Sequence, residues 1–328
     1  MRSALALCLA ACAGCGDNEP ACGHVQALNW NRNIWGGHIA VDGELVHYTD
    51  YDNGVGTKLL FRQPRDGGQA LVIAARDTFS RIGFDMVASA GLVYWSAELE
   101  PFGYVLLATP VTGAGTVTVM SISECTATGV AIDGTNAYAS SLRCNNGIDD
   151  LPARVVAGPL SGGDPVELWS SSDADVADLV AFDGEVVLAT TGGLIRIGAA
   201  GTTLLDGRSS FHVELAGDEI VYSTDDAIVA LPIAGGAGRT LYEFRTPITN
   251  PRAFAIDAGD LYVSDSPELV FVPQGGELFT IVHDMGAAIT HIVARDGFAY
   301  WATLAVPGSL GPFGTFSGGV LRVMRPCS

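Results

Sequence analysis

Positive charge is scarce in this chain: 17 lysines and arginines stand against 36 aspartates and glutamates in 328 residues, a formal net charge of −19. So acidic a surface repels phosphate backbones and anionic headgroups, which argues against nucleic acid as a partner. Long apolar runs are missing as well. Ser3 to Ala11 is apolar but far short of the roughly 20 residues that a spanning helix needs. Strong catalytic signatures are also absent: there is no Gly-x-Ser-x-Gly elbow, no His-Glu-x-x-His, no phosphate-binding glycine loop and no paired Cys-x-x-Cys motifs at zinc spacing. Asp50-Tyr51-Asp52-Asn53-Gly54 resembles a calcium loop only in composition, because its glycine comes too early. What is plentiful is turn chemistry. Forty-one glycines and 15 prolines, with 48% hydrophobic residues and few Lys or Glu, favour many short strands over helices and leave enough apolar material for a large core.

A repeat organises those strands. Ile39 to Asp50 reads as an apolar strand, an Asp-Gly turn and a second strand ending in a hydroxyl residue, and the pattern returns around Val87, Val130, Val180, Leu215, Phe254 and Ile292. Aligned second strands place His47, Tyr94, Tyr138, Leu188, Tyr222, Tyr262 and Tyr300 in one column, at a mean spacing of about 42 residues, the length of a four-stranded propeller blade. Two places later the column reads Thr49, Ser96, Ser140, Thr190, Thr224, Ser264 and Ala302. Third and fourth strands follow each copy, punctuated by Pro-Gly turns such as Pro64 to Gly68 and Pro159 to Gly163. The expected fold is an all-β, seven-bladed β-propeller of four-stranded antiparallel blades.

The seventh copy lacks its outer strand, and Gly23 to Trp30 is expected to supply it and close the ring. Cys22 and Cys327 would then flank the closure and are expected to form a disulfide. Cys125 and Cys144 are expected to face each other across the Asp133 to Asn136 turn and to pair likewise.

Met1 and Arg2, the apolar stretch to Ala11, and Leu9-Ala10-Ala11-Cys12 resemble the signal and lipobox of bacterial lipoproteins. That resemblance implies acylation of Cys12, with Cys15 as the alternative, and a lipid anchor as the membrane contact. The implied organisation is a signal peptide over residues 1–11, a polar tether over 12–21 and one propeller domain over 22–328, located in the cell envelope and facing periplasm or exterior. A plain secretory signal is the competing reading.

The strands Tyr94-Trp95-Ser96-Ala97, Tyr300-Trp301-Ala302-Thr303, His47-Tyr48-Thr49-Asp50 and Tyr262-Val263-Ser264-Asp265 resemble a degenerate YWTD repeat, and repeats of this grade also occur in TolB-like envelope proteins. The YWTD family implies a propeller used mostly as an extracellular binding and structural module, usually with six blades. Ala97, Ser141, Thr191 and Thr303 replace its Asp. The resemblance implies architecture and no particular activity.

Candidate function lies at the funnel mouth. Near the start of each inner strand stand His38, Asp85, Asp178, His212, Arg252 and His291, with Thr128 and Gly129 in the third copy. His291, His38 and Asp85 fall on consecutive blades of a closed ring and are placed to converge on a divalent metal or an anionic ligand. The same face carries unequal loops, long at Asp50 to Thr57, Leu142 to Ala153 and Leu304 to Gly318, the last with Phe313 and Phe316. The reading that follows is a non-catalytic binding or scaffolding module for an envelope protein or small ligand. The alternative is a metal-dependent propeller hydrolase or lactonase. A quinone-dependent dehydrogenase is disfavoured, since only Trp95 and Trp301 recur in register.

Overall fold

A computed structural model describes residues 25–29, 38–52, 57–77, 85–98, 103–123, 125–145, 149–245, 253–265, 268–282, 288–304, 310–311, 314–315 and 319–324. Among the described residues every regular element is a strand, and no helix is long and apolar enough to cross a membrane. Seven four-stranded antiparallel sheets follow one another, and inner strands of successive sheets are neighbours all the way round, with that of the last sheet beside that of the first. This is a seven-bladed β-propeller.

Blade 1 comprises Ile39–Asp42, Leu45–Asp52, Thr57–Pro64 and Leu71–Asp77, from axis to perimeter. Blade 2 comprises Met86–Ser89, Leu92–Glu98, Tyr104–Pro110 and Val117–Ser123, and blade 3 Ala127–Ile132, Asn136–Ser141, Ala153–Pro159 and Val166–Ser171. Blade 4 holds Val176–Phe182, Glu185–Thr190, Gly193–Gly198 and Gly201–Asp206; blade 5 holds Ser210–Ala216, Glu219–Thr224, Ala227–Pro232 and Arg239–Glu243. Blade 6 runs Phe254–Asp257, Asp260–Asp265, Glu268–Val272 and Phe279–Val282. Blade 7 runs Ala288–Arg295, Phe298–Leu304 and Gly319–Met324, and its outer strand is Val25–Asn29 from the other end of the chain, paired with Gly319–Met324. The ring closes as expected.

Propeller sheets are apolar on both faces, so each blade must bury both against its neighbours. The core is accordingly divided into seven clusters, one per blade interface. At the closure, Leu28, Ile39, Tyr48, Tyr300 and Val320 pack together. Polar ties reinforce this seam: Arg65 of blade 1 donates to Tyr300 Oη (2.8 Å) and Asp296 Oδ2 (2.8 Å), and Gln63 Nε2 donates to the Leu28 carbonyl (2.7 Å).

Two-residue turns set the register between inner and second strands, and in blades 2, 4, 6 and 7 both turn residues have positive φ, the arrangement that matches strand twist. Measured from these turns, Val187 and Val221 stand where the tyrosine column runs in blades 4 and 5, one place before Leu188 and Tyr222. The alignment by side-chain type slipped by one residue there, because turn geometry, not residue kind, determines pairing. The hydroxyl column therefore passes through Ala189 and Ser223 rather than Thr190 and Thr224.

Cys125 and Cys144 form the expected disulfide, with Cα atoms 5.6 Å apart. A bulge between Ala127 and Gly129 shifts the register beyond it by one, so the two are near-neighbours rather than directly opposed. Cys12, Cys15, Cys22, Cys327, Phe313 and Phe316 lie outside the described residues.

In blade 1 the tyrosine column is occupied by His47, which is fully buried with neither ring nitrogen hydrogen-bonded. Burial pushes its pKa down to about 4, against Asp42 and with Arg62. An unfolded histidine titrates near 6.5, so between those values the unfolded chain binds the extra proton. Stability is therefore lost as pH falls through this window, by about 3 kcal/mol from this residue. Chemical denaturation of wild type and His47→Phe from pH 7 to pH 4 is expected to show the wild type losing that much more; parallel curves would refute the assignment.

Candidate functional site

Counting back from each inner turn, the same position is occupied by His38, Asp85, Gly129, Asp178, His212, Ala253 and His291 in blades 1 to 7. In blades 3, 4, 5 and 7 this residue directly follows a bulge in the inner strand, and in blades 1, 2 and 6 it immediately precedes the strand. Interrupted pairing re-aims a side chain away from the ladder, here toward the axis. Five of the six proposed residues are thus brought into one ring. Arg252 lies outside the described residues, and Ala253 holds the ring position of its blade.

Two members of the ring, Gly129 and Ala253, are small. A Cβ on Gly129 would lie 2.9 Å from Leu179 Cδ2 and 3.0 Å from Ser140 Oγ, so a side chain there would have to push both aside. Over the Ala253 gap, the His212 and His291 rings approach to 6.4 Å between centroids, and His291 lies 5.1 Å from His38.

Two sub-clusters result. In the first, His212 Nδ1 lies 2.5 Å from Asp178 Oδ2, while its Nε2 lies 3.1 Å from the Phe254 carbonyl and 3.4 Å from Glu214 Oε1. Burial opposes a charge on His212, but Asp178 and Glu214 outweigh it and hold its pKa well above the usual value. His212 is therefore an imidazolium locked between two carboxylates.

The second sub-cluster is His38, Asp85 and His291, each offering one ligand atom within 4.8 Å of the others. His38 Nδ1 stands 3.9 Å from Asp85 Oδ1, too far for a hydrogen bond, and is buried without a partner. Burial first, then His291, Lys58 and His212, keep the His38 pKa well below its usual value. Burial and His212 bring His291 down to about 4, against Asp178. Both rings are neutral at pH 7. Burial and Asp178 raise Asp85 to about 7, opposed by N–H bonds from Val130 (2.9 Å) and Met86 (2.7 Å).

These residues also hold blades together. Asp85 accepts the Val130 N–H of the next blade, Asp178 that of Val213 (3.0 Å), His291 that of Ile39 (3.3 Å) and Glu214 that of Ile256 (3.1 Å). Asp178 is wholly engaged in this way, whereas His38 is not.

Sequence reasoning overlooked two participants. Glu214 is two residues beyond His212 on the same strand, so strand alternation alone puts both on one face. Lys58 is the only lysine of the chain. It is buried between blades 1 and 2, donates to the Ser96 carbonyl (2.9 Å) and lies over the Trp95 ring, and burial brings its pKa down to about 7. Its singularity was the available signal.

No protein-family model and no curated protein matches the chain. Among solved structures it is similar to an oligogalacturonate lyase from Vibrio parahaemolyticus, with TM-score 0.63 and 9% identity over 92% of this chain and 93% of that one. It is also similar to the extracellular domain of a putative hybrid two-component system from B. thetaiotaomicron (TM-score 0.60, 10% identity, 90% of this chain). A third similar structure is PorZ, an essential surface component of the type-IX secretion system of Porphyromonas gingivalis (TM-score 0.57, 12% identity, 93% of this chain). The chain spans 39% of the length of each of the last two. Likeness at this identity establishes the propeller fold, which those proteins put to different uses.

Proposed function

We propose that the chain is a lipid-anchored cell-envelope propeller that binds a small ligand or an envelope protein at its funnel mouth, without catalysis. The observation that carries this reading is the ring of five polar side chains contributed by five blades, one of which keeps a buried ring nitrogen unpartnered. Groups that served only to join blades would be saturated, as Asp178 is. The envelope location draws support from the disulfide, which forms and persists in oxidising compartments, and from the bacterial extracellular and surface domains among similar folds.

The test uses a soluble form beginning at residue 22, screened by affinity capture from envelope extracts and by thermal shift against small-molecule panels. Wild type is expected to retain a ligand or partner that His212→Gln with Glu214→Gln binds roughly tenfold or more weakly. Equal binding by both would refute the funnel as the site. The His38, Asp85 and His291 cluster favours a second reading, metal-dependent hydrolysis. Turnover of lactone or ester panels, abolished by substituting those three residues, would put that reading first.

A further inference from the structure

We infer that His38, Asp85 and His291 bind one divalent first-row transition metal ion, zinc foremost, where blades 7, 1 and 2 meet at the axis. The inference rests on the funnel-ligand reading and names what this sector of the ring takes.

Geometry is the first argument. One ligand atom from each residue lies within 4.8 Å of the other two, and His38 Nδ1 and Asp85 Oδ1 are 3.9 Å apart. Tetrahedral zinc with bonds near 2.1 Å places its ligand atoms about 3.4 Å apart, so small side-chain adjustments close the site. The donor set is the second. Two imidazoles and one carboxylate select borderline metals, whereas calcium and magnesium prefer all-oxygen shells.

Support around the ligands is the third. Asp85 is held by the Met86 and Val130 N–H groups. The Ile39 N–H reaches His291 Nδ1 at 3.3 Å, so a metal at that atom displaces only one long hydrogen bond. Charge is the fourth. Among the described residues the ring has three carboxyl groups, Asp85, Asp178 and Glu214, and its imidazolium, His212, is already paired with two of them. Lys58 is held by the Ser96 carbonyl in the seam between blades 1 and 2. That balance disfavours an anion and suits a cation. Three protein ligands also leave a fourth position for water or a ligand oxygen, as open zinc sites do.

Metal-stripped full chain titrated with zinc chloride in a calorimeter is expected to bind one ion per chain. Cobalt(II) should give the intense visible absorption of a four-coordinate centre. His38→Ala with His291→Ala should weaken zinc binding roughly 100-fold or more, and His47→Phe, which removes a histidine away from the ring, should leave it unchanged. Should the double variant fail to fold, wild type still decides: zinc is expected to shield His38 and His291 from diethyl pyrocarbonate, read by mass spectrometry. Absence of stoichiometric binding, undiminished binding by a folded double variant, or lack of shielding would overturn the inference. If zinc fails to bind while the His212 and Glu214 substitutions still abolish ligand capture, only the metal assignment falls. If zinc binds but no ring substitution affects capture, the funnel reading falls instead.

Discussion

A chain shortened to begin after Trp30 is expected to lose its cooperative fold, whereas one beginning at residue 22 keeps it. The removed strand, Val25–Asn29, pairs with Gly319–Met324 through Val25↔Val323, Gln26↔Arg322, Ala27↔Leu321 and Asn29↔Val320. It also buries Leu28 against Ile39, Tyr48 and Tyr300, and its Leu28 carbonyl accepts the bond from Gln63. Net ladder bonds at about 1 kcal/mol each and a buried leucine at about 2 kcal/mol together amount to roughly 5 kcal/mol. That is comparable with the whole stability of a typical domain. Loss of the strand also exposes an edge carrying Val320, Leu321 and Val323, which favours sheet-to-sheet association. Denaturant unfolding and light scattering of the two forms provide the comparison. Matching midpoints would show that the ring does not depend on this closure.

The second large effect is expected at Gly193, which follows the two-residue loop between the second and third strands of blade 4. Its φ is +128°, and an added Cβ would lie 2.3 Å from the Asp206 carbonyl oxygen and 3.0 Å from Leu204 Cδ1. Both the backbone conformation and the space exclude a side chain, and the obstacle is main chain that cannot rotate away. Gly193→Ala should therefore cost about 3 kcal/mol or more, while Gly207→Ala, which meets nothing within 4 Å, should stay below about 1 kcal/mol. The damage would spread. Asp206 accepts bonds from Arg208 and from Tyr222 of blade 5, so moving its backbone loosens the joint between the blades that carry Asp178 and His212. Equal denaturation midpoints for the two variants would show that the strand pair can part without penalty.

The ring of His38, Asp85, Asp178, His212 and His291 was legible because each residue stands at a set distance from a two-residue turn, and that distance is a local property. The same rule, applied strictly, would have chosen Ala253 over Arg252 and Val187 over Leu188. It failed where residue type was allowed to override turn position. The Cys125 and Cys144 pairing survived an error of one in register, because a bulge displaces neighbours by less than a disulfide can span.

Glycine-rich turns, strand alternation and the repeat length are short-range chemistry, and from them the residues alone dictate seven blades, the borrowed outer strand and one axial position per blade. Distance and partnership across the axis are another matter. That His38 keeps a bare nitrogen, that His212 is clasped by Asp178 and Glu214, and that the solitary lysine lies buried beside Trp95 follow from how seven sheets pack at once. Residues contributed from opposite ends of the chain meet there only after closure, so no local pattern records how near they come.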